Sequence, residues 1–118
     1  MITDNHINNT DLNLIVEKII QLITSCFDTK KIYLFGKYAR LKRFPQNGPS
    51  EIDIIVIATT DLKFRDRIKL VRDYDKSYPP LNPLIYTEEE FLDLLANGEG
   101  FLEDALEESI LIWENNNK

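Results

Sequence analysis

The chain is expected to fold as an α/β (α+β) protein, a small mixed sheet with helices packed on it. Three observations predict this. Helical and strand periodicities alternate along the sequence, as they do when helices cover a sheet. Ile54-Ile55-Val56-Ile57 is an unbroken run of β-branched residues, which suits a strand covered on both faces. Ile32-Tyr33-Leu34-Phe35 runs straight into Gly36 and a basic segment, which marks a strand-to-helix turn.

The elements follow in order. Residues 1–10 are a polar lead. Thr10 or Asp11 caps a helix through about Phe27, with Leu12, Ile15, Val16, Ile19, Ile23 and Cys26 at helical spacing. Cys26 on that stripe acts as a small buried hydrophobe rather than a reactive thiol. Residues 31–35 form the first strand, and a short helix runs from Gly36 to Leu41 or Arg43. Pro45, Asn47, Gly48 and Pro49 then break regular structure. Residues 52–58 form the second strand. Residues 62–75 form an amphipathic helix with Phe64, Ile68 and Val71 inward and Arg65, Arg67, Lys69 and Arg72 largely outward. Tyr78-Pro79-Pro80 stops it. Residues 84–86 are a third strand, and Thr87 with Glu90 makes a capping box before Phe91, Leu92, Leu94 and Leu95. Gly98 and Gly100 form a hinge, residues 101–107 a short helix and residues 110–113 a closing strand. Trp113 is expected as a core or interface anchor. Residues 11–113 thus form one domain, and residues 114–118 a polar tail.

Composition narrows the functional class. At 118 residues the chain suits one domain, and 43% apolar with 29% charged residues is ordinary for a globular protein. Apolar runs are too short to span a membrane, and the start lacks the basic and apolar regions of a signal peptide, so the expected compartment is the cytoplasm. A single cysteine excludes an internal disulfide and cysteine-rich zinc sites, and His6 has no ligand companions. A formal charge of −6 argues against general nucleic-acid binding. The local exception is Lys37, Arg40, Lys42 and Arg43. Such a run is ordinarily a solvated helix face, but its place directly after Gly36 favours a phosphate-facing role.

The chemistry concentrates around Gly36 and the second strand. Glu51 and Asp53 are spaced i, i+2, so on a strand they point the same way. Two acids side by side repel each other unless a cation lies between them. Beside a glycine turn rich in N–H groups and cations, that cation is read as Mg²⁺ carrying a nucleoside triphosphate. Gly36 has two compatible explanations: a turn at positive φ, and a surface with no Cβ to block a phosphate. The helix after it would offer free N–H groups to that phosphate. Arg40 fits an ion pair with a neighbouring acid as well as it fits a triphosphate.

Phe35-Gly36-x-x-Ala39-Arg40 followed by Ser50-Glu51-Ile52-Asp53 resembles the minimal nucleotidyltransferases of the DNA polymerase β-like superfamily. Residues 81–91 resemble that family's third strand and next helix, and residues 98–109 its closing segment. The resemblance implies a polymerase β-like fold and transfer of a nucleoside monophosphate, AMP above all, from a triphosphate such as ATP to an acceptor. It implies a two-metal site for Mg²⁺, or Mn²⁺, with Asp53 bridging the metals and Glu51 assisting. Gly36, Lys37 and Arg40 would face the phosphates. It also implies partners: a small helical HEPN-domain protein, beside which such transferases act as antitoxins, and a second copy of the chain.

The chain departs from the family pattern at four positions. Lys37 replaces a serine, and either grips phosphate or pairs with Glu51. Glu51 replaces the commoner aspartate and adds a methylene, about 1.5 Å. Asn82 stands where the family has a third carboxylate; it offers a metal a neutral oxygen but cannot act as a base. Leu41 replaces a glycine. Loss of a base typically costs about 10²- to 10⁴-fold in rate. Two functions therefore stay open: a working transferase, and a catalytically degenerate binding module that keeps the fold and the partner surface.

Overall fold

A computed structural model of the chain describes residues 10–43, 51–76, 79–98 and 100–116. The readings for His6, for Pro45, Asn47, Gly48, Pro49 and Ser50, for Tyr78 and for the last two residues of the tail lie outside the described residues. In chain order α1 spans Thr10–Cys26, β1 Asp28–Phe35, α2 Gly36–Leu41 and β2 Ile52–Thr59. Then come α3 Phe64–Tyr74, β3 Leu81–Tyr86, α4 Glu88–Asn97, α5 Phe101–Glu108 and β4 Ile110–Glu114. The strands form one 4-stranded sheet in the order β3-β2-β1-β4. β1 is antiparallel to β2 and β4, whereas β2 and β3 are parallel, so the sheet is mixed as expected. The parallel pair is possible because α3 supplies the crossover between its strands.

Period-two alternation decides which layer each strand residue meets. Ile52, Ile54, Val56 and Ala58 of β2 join Ile32 and Leu34 of β1 in a core with Leu12, Val16, Ile19 and Ile23 of α1. Tyr38 of α2 and Val71 of α3 complete that side. The intervening Ile55 and Ile57 pack with Phe35 and with Leu102 and Ala105 of α5, while Phe91 and Leu95 of α4 cover them in part. The run from Ile54 to Ile57 is therefore buried from both sides, each side chain contributing about 1.5–3 kcal/mol. Cys26 lies half-buried against the α1 side, and burial pushes its thiol pKa up, consistent with a filler rather than a nucleophile. Trp113 packs against the same core from β4.

Several boundaries differ from expectation: β2 runs on to Thr59, α3 is shorter at Phe64–Tyr74, and β4 takes in Glu114, which the sequence had placed in the tail. β1 begins at Asp28, and β3 begins at Leu81 with Pro83 inside it. β3 is an edge strand, where the missing proline N–H costs no ladder bond on the open side.

Two orientations are corrected. Arg67 does not face outward; it is only 4% exposed. At i+3 from Phe64 and i−4 from Val71, it lies on the inner stripe of α3. Its Nε donates to the Leu62 carbonyl at 2.8 Å, and its Nη1 to the Ile85 carbonyl at 2.9 Å and to Glu90 Oε1 at 2.6 Å. Phe64, expected inside, is instead part-exposed, with its ring centroid 5.5 Å from that of Tyr86. The capping box is present: the Glu90 N–H donates to Thr87 Oγ1, and the Thr87 N–H to Glu90 Oε1. Glu90 thus caps α4 and neutralises Arg67 together. Among the described residues no helix is long and apolar enough to cross a membrane.

Candidate active site

The site is built from one row across the sheet. Phe35 of β1 lies opposite Asp53 of β2, and Asp53 lies beside Asn82 of β3. By alternation Asp53 shares the face of Ile55 and Ile57, which is the α4–α5 side. Glu51, two residues earlier and exposed, borders the same cleft. Phe35 hands the chain to Gly36, so α2 starts directly beside the acids.

Gly36 has φ +72°, and a Cβ added there would lie 2.5 Å from Asp53 Oδ2. The backbone conformation and the close carboxylate thus each require glycine. On the other side of Asp53, Asn82 Nδ2 donates to Oδ1 at 2.9 Å. Burial pushes the Asp53 pKa up; the Asn82 hydrogen bond pulls it down, the nearby Glu51 charge raises it, Arg40 lowers it and Glu108 raises it. The outcome is a carboxylate held above the usual aspartate range, in surroundings too negative and too dry for its charge.

A cleft of about 480 Å³ is lined by Phe35, Gly36, Lys37, Arg40, Glu51, Asp53 and Glu108. Every site residue expected from sequence therefore lines it except Asn82, which touches Asp53 from the neighbouring strand. Lys37 forms no ion pair with Glu51 among the described residues. Arg40 does have an acidic partner. Its Nη1 donates to Glu108 Oε1 at 3.2 Å and to Oε2 at 3.3 Å. The Gly36 N–H, expected to be free, also donates to Glu108 Oε1, at 3.1 Å. An apolar groove of about 360 Å³ between α1 and α3 lies on the opposite face of the sheet, and its acid, Asp75, accepts from the Leu81 N–H. It has no paired carboxylates to offer a cation.

A family model, polymerase beta nucleotidyltransferase, matches residues 17–118. The chain belongs to that family. No curated protein matches the chain. Solved structures of similar fold include a putative nucleotidyltransferase from Sulfolobus solfataricus, 19% identical, covering 90% of this chain and 82% of that one at TM-score 0.56. Another is a toxin–antitoxin complex with AMP-PNP, 21% identical over 86% of this chain and 74% of that one, TM-score 0.58. A third is a tri-AMPylated Shewanella oneidensis HEPN toxin in complex with its MNT antitoxin, 21% identical over 87% and 72%, TM-score 0.55. At these identities the likeness is one of fold.

For this nucleotidyltransferase-family chain, the residue that sequence reasoning missed is Glu108. Its signal was available in principle. Phe101, Ala105 and Glu108 stand at i, i+4 and i+7 on α5, a face whose other members meet Phe35 or the core. An acid at the end of a face that packs on Phe35 and the core is carried beside whatever element that face covers. Which partner it finds depends on α5 lying across α2, and no local pattern encodes that.

Proposed function

We propose that the chain is a Mg²⁺-dependent nucleotidyltransferase that moves AMP from ATP to a hydroxyl of a partner protein. The observation that carries this reading is the meeting of Glu51 and Asp53 with Lys37, Arg40 and the Cβ-free backbone of Gly36 on one open cleft. The donor set fits a hard divalent cation, because oxygen ligands are what such ions take, and burial, with the Glu51 charge nearby, holds the Asp53 pKa up, a cost that a bound cation would relieve. Among the described residues no three His, Cys, Asp or Glu side chains form a cage by themselves, so phosphate oxygens and water would have to complete the ligand shell. Glu51 and Asp53 would hold the ion, with Asn82 a neutral second neighbour. Bound there, it would supply neutralisation of charge on the attacked phosphorus and on the departing pyrophosphate.

The protein's own share is positioning. Gly36 lets a phosphate approach the backbone, and Lys37 and Arg40 bind its oxygens. Phe35 supplies an apolar part of the cleft wall. Asn82 fixes the Asp53 carboxylate but cannot take the acceptor proton. For the acceptor, the solved complexes of similar fold with HEPN toxin support a small helical HEPN-domain protein. The cytoplasm is the compartment this role requires.

Calorimetric titration of ATP, with and without Mg²⁺, into the wild type and Asp53→Asn tests the reading. Binding that needs both Mg²⁺ and Asp53 supports it, and a partner protein that gains the mass of AMP completes it. No binding in any condition sinks it.

The second reading, a degenerate binding module, is favoured by Asn82, which donates to Asp53 where a third acid would stand. Asn82→Asp separates the two. In a slow enzyme it raises pyrophosphate release by about 10-fold or more; in a binding module no release appears in either form.

A further inference from the structure

We propose that Glu108 is a resident anion in the phosphate slot, and that nucleotide enters by displacing its carboxylate from Arg40 and the Gly36 N–H. The proposal rests on the nucleotide reading above and adds how access to that site is controlled. Two donors from separate groups, a guanidinium and a backbone amide, converge on the single oxygen Oε1, at 3.2 and 3.1 Å. Convergent donors on one anionic oxygen form a slot for an oxyanion, and a phosphate oxygen presents the same acceptor chemistry as a carboxylate oxygen. The slot opens on the cleft that holds Glu51 and Asp53.

Glu108 is built to be displaced rather than to lock. Its backbone is fixed: it is the last residue of α5, whose Leu102 and Ala105 are buried, and two residues later Ile110 pairs with Leu34. Its side chain is not fixed in that way, since it is 36% exposed and Arg40 is 57% exposed. The carboxylate can therefore swing into water without moving the sheet. Leaving also removes a third negative charge from a cleft that must admit a triphosphate. A lower affinity for phosphate is the expected cost of the latch, so its removal should tighten binding.

The test is calorimetric titration of Mg²⁺–ATP, and separately of pyrophosphate, into the full chain as wild type, Glu108→Gln and Glu107→Gln. Glu107 is an exposed neighbour on α5 and controls for net charge alone. Glu108→Gln is expected to bind both ligands roughly three- to tenfold tighter, the scale of one exposed ion pair plus one charge-assisted hydrogen bond. Glu107→Gln is expected to stay within about twofold of wild type. Equal or weaker binding by Glu108→Gln overturns the latch and leaves the nucleotide reading standing. Equal tightening in both variants overturns it as a net-charge effect. Silence of wild type and both variants overturns the latch and the nucleotide reading together.

Discussion

Gly36 is the residue on which the site depends most directly, because its φ of +72° and its contact with Asp53 both exclude a side chain. Gly36→Ala should cost roughly 2–3 kcal/mol, from left-handed backbone strain and displacement of the carboxylate. Denaturant unfolding measures that loss, and nucleotide binding should vanish with it. Asp53 carries the opposite balance. Its pKa is raised, first by burial, so folding penalises its charged form, and the penalty appears as pH climbs above the ordinary aspartate range near 3.8. Asp53→Asn removes the charge and keeps an oxygen for Asn82 to donate to. At neutral pH this variant should melt higher than wild type while losing all Mg²⁺-dependent binding. A lower melting temperature would show that the carboxylate is held by partners stronger than Asn82 and Arg40.

At the scale of elements, α3 and α4 are joined through Arg67 and Glu90. The Arg67 guanidinium holds the Glu90 carboxyl down at about 2, against an ordinary value of 4.5. A depressed acid stabilises the fold fully above its unfolded pKa and loses that contribution as pH falls through the folded one. Stability should therefore drop between about pH 4.5 and pH 2, and Glu90→Gln should flatten that part of the acid-unfolding curve. The Glu90 side chain is 43% exposed, so screening limits the loss at neutral pH to roughly 1–2 kcal/mol. The cap on α4 is part of the same device, since one Glu90 oxygen serves both the Thr87 N–H and Arg67.

At the scale of the whole molecule, charge is divided along the chain. No Lys or Arg occurs from residue 77 to residue 117, whereas the preceding segment carries the cations of the cleft. The candidate cleft lies where these halves meet, with Arg40 from one and Glu108 from the other. A ligand that binds only the folded chain raises its stability by mass action. Mg²⁺–ATP at 100 times its dissociation constant should add about 2.7 kcal/mol to unfolding, and chelating the metal should remove it. Thermal melts with ATP, with and without a chelator, read this directly. A stabilisation that survives chelation would place ATP in a site that does not need the metal.

Local pattern carried much of the architecture. The β-branched run at Ile54–Ile57 announced a strand covered twice, Thr87 and Glu90 announced a cap, and i, i+2 spacing put Glu51 and Asp53 on one side. These are short-range effects of side-chain period and hydrogen bonding, so neighbouring residues suffice to express them. Register and layer did not lie within reach. The Asp53–Asn82 contact exists because β2 and β3 align in parallel with those residues side by side. Arg67 turned inward because carbonyls of Leu62 and Ile85 and the acid of Glu90 surround its place on α3. The order of elements, the glycine beside the acids and the family are all carried by local pattern, which adjacent residues suffice to express. That Glu108 meets Gly36 at the wall of the cleft follows only from tertiary packing, since that contact joins residues 72 apart in the chain and forms only when α5 closes over α2.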